Sequence, residues 1–171
     1  MTGTAALRPP QEADVDALVE LVVACNETYV DFAPAGWAPP SGEALREQWI
    51  GALPVEPGWT RVALGSGAEV DGLVHWVTGR QATWAVLPPD VAFVGALFVH
   101  PRRFRTGLGS LLLDAAEEAM VDAGCRRGEL YTPLGAPAEA FYRARGWSRD
   151  GREGHHLLLA LRIVGYAKPL G

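Results

Sequence analysis

Cysteine is scarce in this 171-residue sequence, in which only Cys25 and Cys125 occur, far apart and outside any metal-type pair. Their apolar, helical neighbours predict two buried, reduced thiols rather than a disulfide or a nucleophile. No apolar run is long enough to span a bilayer, and the first ten residues lack the charged and apolar zones of a signal peptide. We therefore expect a cytoplasmic protein with no membrane partner.

Basic residues are few in the first hundred positions, where four arginines stand against twelve acids. The remaining positions carry ten arginines and Lys168 against eight acids, so the net charge of −5 divides into −8 and +3. The acidic total argues against nucleic acid as the main partner. The asymmetry suits a protein that holds a polyanion with its C-terminal part and a cationic substrate with its N-terminal part, but ordinary solvated surface gives the same pattern.

The composition is globular, with 49% hydrophobic and 20% charged residues, and no repeat or linker separates two cores. We expect one domain over residues 1–171. Apolar spacing, caps and turns predict the order β-α-α-β-β-β-α-β-α-β-β, an α/β (α+β) fold with a mixed sheet. Bounds follow for ten of these eleven elements: 7–8, 15–25, a helix from 41, 59–64, 70–78, 92–99, 107–123, 128–132, 137–145 and a closing strand 156–164.

One segment carries a chemical signal, since a predicted strand ends at Val99 and a helix starts within Gly107-Leu108-Gly109. Free amides at a helix start, together with the positive end of the helix dipole, attract anions. The two glycines let the backbone approach a phosphate closely. The dinucleotide fingerprint fails because its third glycine is Leu112, and the lysine of a P-loop is absent.

This segment resembles the acetyl-CoA motif of the GNAT superfamily of N-acetyltransferases, V-x-P-x-x-(Q/R)-x-x-G-x-G/A followed by an apolar helix. Val99, Pro101, Gly107 and Gly109 stand in register with that motif. The resemblance implies a GNAT-like fold, in which a central, mostly antiparallel sheet splays at the acetyl-CoA site and is flanked by helices.

Two further blocks extend the resemblance over most of the chain. The opening Leu7-Arg8-Pro9, followed by Asp14, is similar to the family's L-R-x-A-x-x-x-D. The run FYRARGW at 141–147 is similar to its F-Y-x-x-x-G-F. The sequence departs from the family where Phe104 replaces the Gln/Arg that opens the phosphate loop, and where Gly135 replaces an asparagine.

Acetyl-CoA is the co-substrate that the resemblance implies, and no metal is expected because no histidine pair has metal spacing with a third ligand. Main-chain amides make many of the phosphate contacts in such a loop, so we expect acetyl-CoA binding to survive the loss of the Gln/Arg. Arg105 or Arg103 is the expected charge partner of the phosphates. The implied cofactor-binding residues are Leu97, Phe98, Val99, Arg105, Thr106, Gly107, Leu108, Gly109 and Ser110.

Acetyl transfer to an amine requires a neutral amine, a stabilised oxyanion and a proton for the departing thiolate. Tyr142 matches the family's general acid, and a phenol near its ordinary pKa is protonated at neutral pH. The general base is harder to find, because Glu129 is the only acid on the strand 128–132 and the strand before it has none. His75 is the remaining candidate on a central strand, although a packed histidine would look the same.

The resemblance places the acceptor against the loop 26–40 that joins the first two helices. Glu27, Tyr29, Asp31, Phe32 and Trp37 would give this wall an acidic, aromatic character suited to a cationic amine. Plain packing of the aromatic residues is the alternative.

We therefore expect an N-acetyltransferase that moves an acetyl group from acetyl-CoA to a primary amine of a small molecule. Acetylation of a protein or peptide at its N-terminus or at lysine is one alternative, and a non-catalytic acyl-CoA-binding module is another. A homodimer is left open.

Overall fold

The computed structural model describes residues 6–50, 59–65, 69–79 and 87–171, with only the backbone for 48–50. In this part of the chain a seven-stranded sheet is flanked by four α-helices. The elements are β1 (Leu7–Arg8), α1 (Val15–Glu27), α2 (Gly42–Ile50), β2 (Trp59–Leu64), β3 (Val70–Thr78), β4 (Val91–Val99), α3 (Leu108–Asp122), β5 (Arg127–Pro133), α4 (Ala138–Ala144), β6 (Ser148–His156) and β7 (Leu161–Pro169).

Helix boundaries follow from local capping groups. Ser41 precedes α2 and its Oγ accepts a hydrogen bond from the amide of Ala44 at 3.2 Å, so that Ser41 caps the start of this helix. Before α1, the buried carboxylate of Asp14 accepts two hydrogen bonds from the Arg8 guanidinium, at 2.7 and 2.8 Å. The first strand and the first helix are therefore joined by a bidentate ion pair between two residues of the opening motif.

The sheet runs in the order β1-β2-β3-β4-β5-β7-β6, and every neighbouring pair is antiparallel except β4 and β5. Helix α3 packs on one face through Leu108, Leu112, Ala116 and Met120, which recur every four residues and are all buried. Helix α1 packs on the other face, against β2, β3 and β4, and α2 packs on α1. This mixed α/β fold with a mostly antiparallel sheet confirms the predicted fold class.

The two strands at the centre of the sheet separate. β4 and β5 pair only from Val91↔Arg127 to Val94↔Leu130. Beyond that point β4 stays with β3 as far as Val99↔Gly72, while β5 stays with β7 as far as Pro133↔Ile163. The C-terminal ends of β4 and β5 thus diverge, as the resemblance implied.

A bulge in β4 coincides with the separation. His75 of β3 pairs with Ala96 and Trp76 pairs with Val94, so that Gly95 is an extra residue in β4. A Cβ on Gly95 would lie 3.2 Å from the imidazole of His75, a tight fit that glycine avoids. The bulge shifts the alternation of side chains along β4. In a regular strand, residues three positions apart point to opposite faces, but Val94 and Leu97 both face α3.

The closing strand predicted for 156–164 is wrong, since a turn at residues 157–160 divides that segment between β6 and β7. The apolar run there belongs to a hairpin tip. Leu158 packs against the core cluster formed by α1 and α2, Leu157 is 91% exposed, and Ala160 adopts φ of 51°. An apolar triplet can anchor a turn as well as build a strand, and its pattern alone does not distinguish the two.

Packing of α3 on the sheet predicts a large effect for Leu112→Ala. Leu112 is fully buried, so truncation should lower the free energy of unfolding by about 2–5 kcal/mol because a cavity remains. Urea denaturation would measure the loss, with Val121→Ala on the exposed side of the same helix as the control. Equal stability of the two variants would contradict this packing.

Candidate active site

A cleft of about 550 Å³ opens where β4 and β5 separate. Its walls come from four places: the end of β4, the end of β5 with α4, the start of α3 with the loop before it, and the end of α1. Among the described residues the lining is Cys25, Thr28, Tyr29, Phe32, Leu97, Phe98, Val99, Arg103, Phe104, Arg105, Gly107, Gly109, Ser110, Thr132, Pro133, Ala136, Pro137, Ala138, Ala140, Phe141 and Tyr142.

The free edge of β4 presents backbone groups to this cleft. The amide of His100 donates to the carbonyl of Asp71 in β3 at 2.8 Å. Because successive residues of a strand direct their amides and carbonyls to opposite edges, those of Leu97 and Val99 point toward the cleft. The thiol of Cys25 donates to the carbonyl oxygen of Val99 at 3.1 Å, and burial raises the pKa of this thiol to about 12.

Both cysteines are free and buried, as predicted. Since the Cys25 thiol stays protonated at neutral pH, it acts in this structure as a hydrogen-bond donor rather than as a nucleophile.

The start of α3 forms one end of the cleft. Gly107 precedes the helix with φ of 87°, a left-handed conformation that glycine adopts without strain. The amide of Leu111 makes the first helical bond, to the carbonyl of Gly107 at 3.0 Å. The amides of Leu108, Gly109 and Ser110 therefore precede the hydrogen-bonded part of the helix, and among the described residues they have no acceptor.

A buried carboxylate holds the loop that leads into α3. Asp71, whose side chain is 3% exposed, accepts from Arg102 Nε and Nη2 at 3.0 and 2.6 Å and from Arg103 Nη1 at 2.8 Å. Arg105, in contrast, is exposed and makes no hydrogen bond or ion pair within the described part of the chain. Two of the three arginines of this loop are thus paired with Asp71, and the third lines the cleft without a partner in the described ranges.

The role of Asp71 was missed at the sequence level. An acid inside the apolar strand β3 was a signal, because a buried carboxylate needs partners. Its partners lie about thirty residues away and could not be named from the sequence.

Tyr142 of α4 lines the cleft and is 6% exposed. Its ring packs against Phe141, Trp147 and Tyr166, with centroid distances of 5.3, 6.2 and 6.0 Å. Burial, assisted by the nearby Tyr29, raises the pKa of the Tyr142 phenol. The hydroxyl is therefore protonated at neutral pH, and it has no hydrogen-bond partner among the described residues.

A second buried carboxylate positions α4. Glu139 accepts hydrogen bonds from the Gly135 amide at 2.9 Å, from the Tyr166 hydroxyl at 2.6 Å and from Arg149 Nε at 2.8 Å. Burial by itself would raise the pKa of Glu139, but these donors lower it below the ordinary value. Gly135 has φ of 83°, so this residue supplies a left-handed turn that the Glu139 side chain then holds.

The predicted acceptor residues divide into two groups. Tyr29 and Phe32 line the cleft, whereas Glu27 and Asp31 are exposed and do not. Trp37 lies behind Tyr29, at a centroid distance of 6.2 Å, and its indole N–H donates to the carbonyl of Leu159 in the β6–β7 turn at 2.6 Å.

The predicted base His75 lies outside the cleft lining. Its Nδ1 and the Thr60 hydroxyl share a hydrogen bond of 2.7 Å, on the face of the sheet that α1 covers in part. Glu129 does not line the cleft either. Its carboxylate forms ion pairs with Arg127 and Arg152, at 2.8 Å each.

Seven of the predicted cofactor residues line the cleft, namely Leu97, Phe98, Val99, Arg105, Gly107, Gly109 and Ser110. Thr106 does not, because its hydroxyl is turned back to the carbonyl of Arg103 at 2.8 Å. The Leu108 side chain is buried in the core, and only its amide belongs to the helix start. No group of three or more metal-ligating side chains occurs among the described residues.

The family profile for GNAT acetyltransferases matches residues 22–147, a range that includes the loop before α3 and the whole of α4. The chain belongs to this family of acetyltransferases. No curated protein matches it by sequence. Over the described ranges, none of the helices has the length and apolar character needed to cross a membrane.

Solved structures share the fold at low sequence identity. A GCN5-related N-acetyltransferase from Rhodopseudomonas palustris superposes with a TM-score of 0.74 at 20% identity, over 99% of this chain and 98% of that one. The ribosomal-protein-S18-alanine N-acetyltransferase from Escherichia coli gives 0.66 at 16%, over 98% and 95%. The PaiA N-acetyltransferase from Thermoplasma acidophilum, solved in complex with coenzyme A, gives 0.67 at 17%, over 97% and 99%.

The hydrogen bonds of Glu139 predict a pH-dependent contribution to stability. Glu139→Ala should lower the free energy of unfolding by about 1–3 kcal/mol at pH 7, because the Gly135 amide and Tyr166 hydroxyl lose their acceptor. Since the folded-state pKa lies below the unfolded value, this contribution is present above the unfolded pKa and is lost as the pH falls through the folded pKa.

Urea denaturation at pH 7 and again in the acid range would measure this effect. The gap between the wild type and Glu139→Ala should shrink on acidification. Glu118→Ala, an exposed acid on α3, is the control and should change little at either pH. A gap that grows toward low pH would contradict the prediction.

Proposed function

We propose that this protein transfers the acetyl group of acetyl-CoA to a primary amine of a small molecule. The observation that carries the proposal is a single cleft that joins the uncapped start of α3 to the unpaired hydroxyl of Tyr142. The helix start offers amides for an anion, and Tyr142 offers a proton donor in the same cleft.

The residues present suit a long, anionic cofactor. The amides at Leu108, Gly109 and Ser110 would receive the pyrophosphate, with Arg105 as the nearby unpaired cation. The free backbone edge at Leu97 and Val99 would pair with the amide groups of the pantetheine arm. Phe104 lines the cleft, is 48% exposed and supplies ring surface at the position that is Gln or Arg in the family motif.

Acetyl-CoA supplies an activated acetyl thioester, and the chain supplies the positions of the reacting groups. As the new N–C bond forms and the C–S bond breaks, Tyr142 Oη gives its proton to the sulfur and regains one from solvent. The amine nitrogen releases one proton to solvent, which leaves an amide and a free thiol. The raised pKa of Tyr142 keeps this proton in place before transfer.

The wall at the end of α1 supports a small acceptor. Trp37 binds the β6–β7 turn through the carbonyl of Leu159, and Leu158 of the same turn packs on the α1–α2 cluster. Because Trp37 also packs on Tyr29, this bridge holds in place the wall that Tyr29 and Phe32 give the cleft. A wall fixed in this way suits a small acceptor, whereas a peptide would need an open groove.

The proposed cofactor site predicts the effect of a carboxylate at position 109. Acetyl-CoA at a hundred times its Kd should stabilise the wild type by about 2.7 kcal/mol, seen as a rise in Tm. Gly109→Asp should abolish this rise, because the new charge would face the phosphates. Gly109→Asn is the matched control for bulk and should retain part of the rise, since a Cβ there would meet Phe141 and Val99 at ordinary contact distances of 3.5–3.6 Å.

If the asparagine variant loses the shift as completely as the aspartate variant, bulk rather than charge is responsible. An unchanged Tm of the wild type at saturating acetyl-CoA would contradict the cofactor assignment itself.

Tyr142→Phe tests the chemistry, because it keeps the ring but removes the proton. Turnover should fall roughly a hundredfold or more, while the affinity for acetyl-CoA stays nearly the same. Because burial raises the phenol's pKa, wild-type kcat should not fall between pH 7 and 10 on account of this group. CoA release measured with a thiol reagent gives the rates, and Tyr131→Phe, a tyrosine outside the cleft lining, is the control.

Wild-type turnover by Tyr142→Phe would assign this tyrosine to packing alone. The sulfur would then leave unprotonated or take its proton from water.

A further inference from the structure

Tyr29 is a second tyrosine that lines the same cleft as Tyr142. It lies in the turn Thr28–Asp31 that continues α1, and its backbone carbonyl accepts from the amides of Phe32 and Ala33 at 3.1 and 2.8 Å. Burial raises the pKa of its phenol, so the hydroxyl is protonated at neutral pH. That hydroxyl has no hydrogen-bond partner among the described residues, and both its donor and its acceptor capacity remain available.

The ring of Tyr29 is held by its aromatic neighbours. Phe32 lies at a centroid distance of 5.2 Å and Trp37 at 6.2 Å, and Trp37 is in turn bound to the carbonyl of Leu159. Tyr29, Phe32 and Trp37 form what we call the aromatic wall. It fixes the direction of one polar group within an otherwise apolar surface.

The distribution of charge around this wall is uneven. Among the described residues that line the cleft there is no aspartate, glutamate or histidine, and the charged ones are Arg103 and Arg105 near the start of α3. Glu27 and Asp31 flank Tyr29 along the chain but are exposed on the outer side of the turn. The described part of the aromatic wall therefore offers no carboxylate to a second cation.

We propose that the Tyr29 hydroxyl receives the amino group of the acceptor, and that the acceptor is a monoamine with an apolar body. This inference rests on the proposed acetyltransferase function and names the substrate class of that site. The phenol oxygen accepts a hydrogen bond from the neutral amine, while the body of the acceptor packs on Phe32 and Phe98. A second ammonium group on the acceptor would have to lose water without gaining a carboxylate partner, which is unfavourable.

This proposal departs from the acidic acceptor wall expected from the sequence. Five residues of the loop 26–40 were expected to form this wall together. The structure brings Tyr29 and Phe32 to the cleft, leaves Trp37 packed on Tyr29, and exposes the two acids to solvent. A polycationic acceptor would therefore meet aromatic rings where it needs carboxylates.

Hexylamine and 1,6-diaminohexane test the substrate class, because they have the same length and differ only in the second amino group. With acetyl-CoA at saturation and pH 8, CoA release should give hexylamine a kcat/KM at least tenfold higher, after the diamine's two equivalent ends are allowed for. A kcat/KM for the diamine equal to or higher than that for hexylamine would overturn the proposal. It would indicate instead that the exposed Glu27 and Asp31 bind the second ammonium group.

Failure of both amines to react or to bind, measured by calorimetry on the protein with CoA, would also overturn it. In that case a retained Tm shift with acetyl-CoA would leave the proposed function standing. Loss of that shift would contradict the proposed function instead, so that the two failures are distinguishable.

Tyr29→Phe tests the residue, since it keeps the ring and its packing on Phe32 and Trp37. KM for hexylamine should rise about three- to twelvefold, which corresponds to one lost hydrogen bond, while kcat changes less than twofold. The Kd for acetyl-CoA should stay within twofold. Tyr142→Phe should show the opposite division, with the loss in kcat, and Tyr131→Phe should change neither constant.

An unchanged KM in Tyr29→Phe would overturn the assignment of its hydroxyl. A loss of acetyl-CoA affinity instead would make Tyr29 part of the cofactor wall, and would overturn it equally.

Discussion

The separation of β4 from β5 is the constraint on which the rest of the molecule depends. The two strands pair over only four residue pairs because each then follows its outer neighbour, β3 on one side and β7 on the other. In a continuous sheet the backbone amides and carbonyls of Leu97 and Val99 would form hydrogen bonds with β5. Here they remain on a free edge, and the space that the ladder would fill is the cleft.

Two buried carboxylates fix the sides of this opening. Asp71 holds the loop before α3 through Arg102 and Arg103, and Glu139 holds the turn at Gly135 and thereby α4. Neither carboxylate lines the cleft. Each binds residues that line it or stand next to lining residues: Asp71 binds Arg103, and Glu139 binds the amide of Gly135, next to Ala136. Because an unpaired carboxylate in such a position would be costly, each acid and its donors form a unit that keeps its geometry.

Much of the fold and part of the site could be predicted from the sequence, because those signals are local. Periodicity along α3 indicates its buried side, and the left-handed Gly107 and the helix start after it lie within a few residues of each other. The FYRARGW run at 141–147 likewise identifies Tyr142, which lines the cleft. A helix start or a motif needs no distant partner to be recognised.

The sequence by itself therefore determined the order of elements, the family and the helix start at Gly107. Only the tertiary structure decided that Arg102 and Arg103 belong to Asp71, and that Tyr29 faces the cleft while Glu27 and Asp31 face outward. Contacts across thirty or more residues depend on how strands are ordered in the sheet. Which side of a turn faces inward depends on the rotation of the helix before it, and packing against the sheet sets that rotation.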